Sequence, residues 1–227
     1  MKWIITFLMV AWFSFGGFHR ISTINQHIEN AYETYFNRDF KSTIFSINFL
    51  TDSLSLKHND LLINKAHATY LLTQKNNPGI VAGDTIVIKE LQQALDLYKS
   101  LWLSADYSMQ SNAYNQAGII TFKTRSINGK TSTEEETIRT AIDFFKMALV
   151  EDSSNNAARY NYELLKKYLQ YPDDVMNKVK KLVSQRKYEE AYTMLAEKVS
   201  TDGRFAKHQE FFKRLTDIIK IEKTIHD

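Results

Sequence analysis

Apolar residues recur at positions i, i+3, i+4 and i+7 along almost the whole chain after residue 20. In the segment 86–103, for example, Leu91, Leu95 and Tyr98 share one helix face. This period is that of an amphipathic α-helix, and it predicts about ten helices and no strand. The chain also has only two Pro and seven Gly among its 227 residues, which are few for a fold that needs a turn after every strand. We therefore predict an all-α fold.

The composition excludes several classes of function. The chain has no Cys, which removes disulfides, thiolate zinc sites, iron–sulfur clusters and cysteine nucleophiles. Its net charge of +3 is too small to indicate binding of nucleic acid. Its six His are scattered without an HExxH motif, and no glycine-rich phosphate loop or GxSxG motif is present. We predict no catalytic residue, metal, cofactor or small-molecule substrate, and hence no enzyme.

The first twenty residues are more apolar than any later segment. A single Lys at position 2 precedes a run from Trp3 to Phe18 that carries no charge. The segment fits either a signal peptide cleaved after Gly16 or a signal anchor whose residues 3–18 span the membrane. Both interpretations predict a protein of the cell envelope. It is anchored in the inner membrane and faces the periplasm, or it is periplasmic if the leader is cleaved.

A spacing of small and large residues marks one pair of predicted helices. Ala141, Phe145 and Ala148 place a large apolar residue between two small ones on one helix face. Small residues let two helices approach closely, and the large one fills the gap between neighbours. The preceding helix carries the small pair Ala117–Gly118, and the following helix opens with the string Ala158-Arg159-Tyr160-Asn161.

This spacing resembles the tetratricopeptide (TPR) repeat, in which helical hairpins of about 34 residues stack into a solenoid. The resemblance covers residues 22 to 203 and is clearest for 111–169. Within that segment, the loop 125–133 is longer than the loop between the two helices of a TPR unit. It implies a TPR-like helical-hairpin solenoid preceded by one N-terminal apolar helix. The domains are then a leader at 1–20, a repeat domain at 21–203 and a C-terminal capping helix at 204–227.

The leader and the string at 158–161 together resemble the TPR proteins of bacterial aerotolerance (Bat-type) operons. Those proteins sit beside von Willebrand A-domain proteins and a MoxR-type ATPase. The extra helices after Pro172 depart from that family's compact pattern. The resemblance implies a non-enzymatic scaffold that assembles other envelope or membrane proteins, with the membrane itself contacted through residues 3–18. Two alternatives remain: a membrane-anchored, chaperone-like accessory factor of protein export, and an enzyme on an α-helical superhelical scaffold.

In TPR arrays the first helices of successive units line a groove that receives an extended peptide or a partner's helix. Asn side chains there can pair with a ligand's backbone amides, and Arg159 or Lys167 can hold a carboxylate. In the alternative interpretation, Tyr160 and Leu164 pack between repeats. The resemblance implies these partner-binding residues: Asn112, Asn115, Ile119, Arg159, Tyr160, Asn161, Leu164 and Lys167.

Overall fold

The computed structural model describes residues 2–77, 85–124 and 131–226. Within these ranges the chain is all-helical, with nine α-helices and no strand, as the sequence predicts. A π-helical turn at Phe49–Ser53 extends α2, and a 3₁₀ helix at Gly203–His208 precedes α9. The helices are α1 Lys2–Phe36, α2 Phe40–Asn48, α3 Asn59–Asn76, α4 Thr85–Lys99, α5 Tyr107–Thr124, α6 Thr131–Glu151, α7 Asn156–Ser184, α8 Tyr188–Thr201 and α9 Gln209–His226.

The chain divides into two compact units, unit 1 at Met1–Arg159 and unit 2 at Tyr160–Asp227. In unit 1 the helices pack mainly against their neighbours in the sequence, and α5 and α6 make the most extensive contact. One apolar core of unit 1 lies between α1, α2 and α3 around Leu50, and a second joins α3, α4 and α5 around Leu91. Unit 2 has its own core, in which α7, α8, the 3₁₀ helix and α9 meet around Phe205.

The small and large residues predicted to pack at one hairpin do so. Ala141, Phe145 and Ala148 are all buried, with Phe145 only 2% exposed. The Phe145 ring lies against Gly118 of α5, where the absence of a side chain leaves room for it. Beside this contact, the hydroxyl of Ser111 donates to the carbonyl of Ala148 at 2.8 Å. The sequence motif therefore marks a close approach of α5 and α6.

The N-terminal region differs from the prediction of a leader followed by a separate helix at residue 21. Helix α1 runs unbroken through Gly16 and Gly17 as far as Phe36. In the part of the chain that the structure describes, we find no helix that combines the length and the apolar character needed to cross a bilayer. The anchor interpretation of residues 3–18 thus gains no support, and cleavage after Gly16 stays a prediction.

The loop predicted at 125–133 is described only in part. Residues 125–130 lie outside the described ranges, and Thr131 already begins α6. Upstream, α3 ends at Asn76, the first residue of the string Asn76-Asn77-Pro78-Gly79, whose last two residues also lie outside the described ranges.

Helix α7 corrects a second prediction, that Pro172 separates two helices. The helix continues through Pro172, which is buried. A proline has no N–H to donate to the carbonyl four residues earlier, here that of Tyr168. The guanidinium of Arg204 donates to this carbonyl instead, from Nη1 at 2.7 Å. The carbonyl that Pro172 leaves open is therefore bonded from the 3₁₀ helix.

Candidate functional site

One face of α7 within unit 2 carries large side chains that are exposed to solvent. Tyr160, Leu164 and Tyr171 are 66%, 49% and 37% exposed. Their spacing of four and seven residues places them on one side of the helix. A different face of α7 carries the buried Leu165 and Val179. We call the exposed set, together with Lys167 between them, the α7 stripe. Their grouping on one face makes the α7 stripe a candidate interaction surface.

The C-terminal half of the α7 stripe borders a cleft of about 420 Å³. The end of α8 and the start of the 3₁₀ helix supply its other wall. We call this space the α7 cleft, and all of its lining lies in unit 2: Leu164, Lys167, Tyr168 and Tyr171 from α7, with Lys198, Thr201, Asp202 and Arg204 opposite.

Arg204 holds the two walls of the α7 cleft together. Its Nε donates to Asp202 Oδ1 at 2.9 Å and its Nη2 to Asp202 Oδ2 at 2.6 Å, while Nη1 donates to the Tyr168 carbonyl. The guanidinium carbon also lies 4.0 Å from the centroid of the Tyr168 ring and 5.3 Å from that of Tyr171. The donors of Arg204 are therefore used inside the protein, which makes it a positioning residue for the two tyrosines.

The electrostatics of Asp202 follow from the same contacts. The hydrogen bond from the Arg204 side chain lowers the pKa of Asp202, because it stabilises the carboxylate. The hydrogen bond to Asp202 in turn raises the pKa of Arg204. The pair stays ionised at neutral pH and its two charges cancel locally.

Two lysines remain as the positive groups of the α7 cleft. Lys167 is exposed and makes no ion pair with any described residue. Lys198 is 29% exposed, and its Nζ lies 3.2 Å from Oε1 of Glu197. This hydrogen bond and the Glu197 charge raise the pKa of Lys198, with Tyr171 contributing in the same direction. The α7 cleft thus offers apolar contact, tyrosine side chains and positive charge, a combination that suits the binding of a polypeptide segment.

The structure brings some of the predicted partner-binding residues together in unit 2. Leu164 and Lys167 both line the α7 cleft. Tyr160 lies one helical turn before Leu164 on the same face and is exposed. Asn161 is half-buried on α7. Three of these four residues therefore belong to the α7 stripe, and binding of a partner by them stays a prediction.

The other predicted residues lie in unit 1. Asn112 is exposed, and its Oδ1 accepts a hydrogen bond of 3.4 Å from Asn155 Nδ2. Arg159 is exposed and donates from Nη2 to the Ser153 carbonyl at 2.6 Å. Ile119 packs against the core between α3, α4 and α5. Asn115 is only 4% exposed, which favours a packing role over contact with a partner.

Sequence reasoning missed Tyr171, Lys198 and Arg204 as members of the site. Tyr171 follows Leu164 by seven residues, so the helical period contained the signal. The break predicted at Pro172 places Tyr171 outside the helix that carries Leu164, which is why the period alone did not assign it. Lys198 and Arg204 come from another element, and no local pattern indicates that they meet α7.

Comparisons with known proteins give no further guide to this site. No family model matches the chain, and neither a curated protein nor a solved structure matches it. The site is therefore defined by the contacts within unit 2.

Proposed function

We propose that this protein is a non-enzymatic, TPR-like helical scaffold that binds a partner protein along the α7 stripe. The packing in unit 1 supports the repeat interpretation, because its helices contact mainly their neighbours in the sequence, as in arrays of stacked hairpins. The buried Ala141, Phe145 and Ala148 support it further, since they occupy the contact that the repeat assigns to them.

The exposure of Tyr160, Leu164 and Tyr171 on one face of α7 is the observation that carries the proposal. Covering a leucine side chain completely stabilises a complex by about 1.5–3 kcal/mol before the costs of association. Tyrosine is among the residues that most often dominate the binding energy of an interface. The helix itself is ordered by its buried face, so a partner meets a preformed surface.

Location and partner class come from the sequence alone. The leader at 1–20 favours the cell envelope, and the string Ala158-Arg159-Tyr160-Asn161 favours a partner such as a von Willebrand A-domain protein of a Bat-type complex. Partner binding along α7 does not depend on either point.

Site-specific photo-crosslinking in the cells that make this protein tests the proposal. A benzophenone amino acid is placed at Tyr160, Leu164 or Tyr171, and at Lys213 on α9 as an exposed control. We expect one protein to be captured from the three α7 positions and not from position 213. Capture of no protein at any α7 position, or equal capture at position 213, contradicts the proposal.

The same experiment separates the scaffold from the chaperone-like alternative. A scaffold yields one crosslinked species in a fixed ratio, which mass spectrometry identifies. A chaperone that binds unfolded clients yields many crosslinked species, and their number increases under conditions that cause proteins in the cell to unfold.

A further inference from the structure

We propose that the α7 cleft binds an acidic helical segment of the partner, with an Asp or Glu side chain between Lys167 and Lys198 and an apolar side chain on Tyr160 and Leu164. The inference rests on the proposed function, because it names the chemistry of the partner that the α7 stripe would take. It adds a ligand class and a spacing, each of which is testable by itself.

The charges of the lining favour an anion. Four charged residues line the α7 cleft, and two of them, Arg204 and Asp202, are paired with each other through hydrogen bonds. The positive charges that remain are those of Lys167 and Lys198. Glu197 offsets part of the second, but its side chain is 72% exposed and does not line the cleft. An ammonium group has three N–H donors, so Lys198 can donate to Glu197 and also to a second carboxylate.

The α7 stripe also fixes the spacing of the ligand. Its apolar end at Tyr160 lies seven residues before Lys167, which is about 10 Å along the helix. A partner helix that runs parallel to α7 would present an apolar side chain and, seven residues later on the same face, an acidic one. The signature is therefore Leu or another apolar residue at i and i+4, with Asp or Glu at i+7 and i+8.

Fluorescence anisotropy with a synthetic peptide and the full chain tests this inference. The probe is an amphipathic, alanine-rich peptide with Leu at i and i+4 and Glu at i+7 and i+8. Both of its termini are blocked, so that only side-chain carboxylates are available. A second peptide carries Gln in place of both Glu residues. We expect the Glu peptide to bind more tightly, and its advantage to shrink as salt is raised, because exposed ion pairs are screened.

Variants of the protein locate the effect. Lys167→Gln and Lys198→Gln are each expected to weaken binding of the Glu peptide about two- to fivefold, as for exposed ion pairs, and to leave the Gln peptide unchanged. Lys213→Gln, on the exposed surface of α9, is the matched control and should change neither affinity. Equal affinity for the two peptides, or equal effects of all three variants, would overturn the inference.

A charge exchange guards against variants that merely disturb the fold. The double variant Lys167→Glu/Lys198→Glu should bind a peptide with Lys at i+7 and i+8 more tightly than it binds the Glu peptide, because both positive charges of the α7 cleft are then reversed. A disturbed fold would lower both affinities and would show in the circular dichroism spectrum. No reversal of preference in the folded double variant contradicts the inference.

The outcome also separates this inference from the proposed function. A partner captured from Tyr160 and Leu164 whose binding is insensitive to salt and to both lysine variants would retain the scaffold and reject the acidic ligand. Absence of any partner at the α7 stripe would reject the scaffold itself.

Discussion

A Cβ atom built on Gly118 would stand 2.5 Å from Cε1 of the Phe145 ring. Cδ1 and Cζ of the same ring would be 2.8 and 2.9 Å away, so the whole ring edge faces the glycine. Phe145 is only 2% exposed, so its ring is held inside unit 1. The approach of α5 to α6 in unit 1 therefore depends on a residue without a side chain at position 118.

Gly118→Ala should destabilise unit 1 despite the better helix propensity of alanine. Overpacking costs about 1–3 kcal/mol, whereas the propensity gain is about 1 kcal/mol. Urea unfolding followed by circular dichroism measures the difference. Gly203→Ala is the control, because a Cβ there would meet nothing within 4 Å, and its effect should stay within about 0.5 kcal/mol. A Gly118→Ala protein as stable as the wild type would show that the ring can move.

Arg204 and Pro172 should be energetically coupled. Arg204→Lys keeps a positive charge beside Asp202 but loses the planar group that also reaches the Tyr168 carbonyl. We expect a loss of about 1–3 kcal/mol from unit 2, the usual range for leaving a buried polar group unpaired. In a Pro172→Ala background the alanine N–H can donate to the Tyr168 carbonyl. Arg204→Lys should therefore lower the free energy of unfolding by less in that background. A double-mutant cycle of unfolding free energies measures the coupling, and additive effects would refute it.

Asn155 should stabilise the start of α7 in two ways. Its Oδ1 accepts from the Ala158 N–H at 3.0 Å, and its Nδ2 donates to Ser111 Oγ at 2.8 Å. Asn155→Ala removes these two hydrogen bonds, together with the longer one to Asn112 Oδ1, and should lower the free energy of unfolding by about 1–2 kcal/mol. The neighbouring Asn156→Ala, at an exposed position, should be nearly neutral. Thermal unfolding of the two variants makes the comparison, and equal effects would show that Asn155 is not the cap.

Unit 1 should lose stability as the pH falls through the ordinary pKa of histidine, 6.5. Burial lowers the pKa of His67 below that value, and its ring, on α3, packs against the ring of Tyr98 on α4. A base with a lowered pKa binds its proton more readily in the unfolded chain. The loss of folding stability caused by His67 is therefore absent well above pH 6.5 and grows as the pH falls below it.

Urea midpoints at neutral and mildly acidic pH test this dependence. Tryptophan fluorescence follows the unfolding of unit 1, because Trp3, Trp12 and Trp102 all lie in that unit. His67→Gln should reduce the acid-induced decrease. His19→Gln is the control in the same unit, since His19 is exposed. An unchanged pH profile in His67→Gln would mean that another group is responsible.

The sequence predicts those features of the fold that depend on nearby residues. Helical periodicity identifies an all-α chain, and the spacing of Ala141, Phe145 and Ala148 identifies a close helix pair, since both signals lie within a few turns of helix. The continuity of α7 could not be predicted in this way. The local sequence indicates a break at Pro172, whereas Arg204, which bonds the Tyr168 carbonyl, lies 36 residues further along the chain.

In the candidate site, too, the sequence predicts only those features that depend on nearby residues. Tyr160, Leu164 and Lys167 share a face of one helix, so their proximity follows from the period alone. Lys198 comes from α8 and meets them only through tertiary packing. Asn115 shows the converse, because a polar residue predicted to contact a partner lies buried on α5.

The contact between Arg204 and the helix turn at Pro172 also bears on how relatives of this chain would diverge. While a proline occupies position 172, we expect an arginine to be retained at position 204, because it bonds the carbonyl that the proline leaves open. In a lineage that replaces Pro172, the residue at position 204 is then free to change. The two positions should therefore covary among homologues, and this pairing would help to recognise distant members when overall similarity has faded.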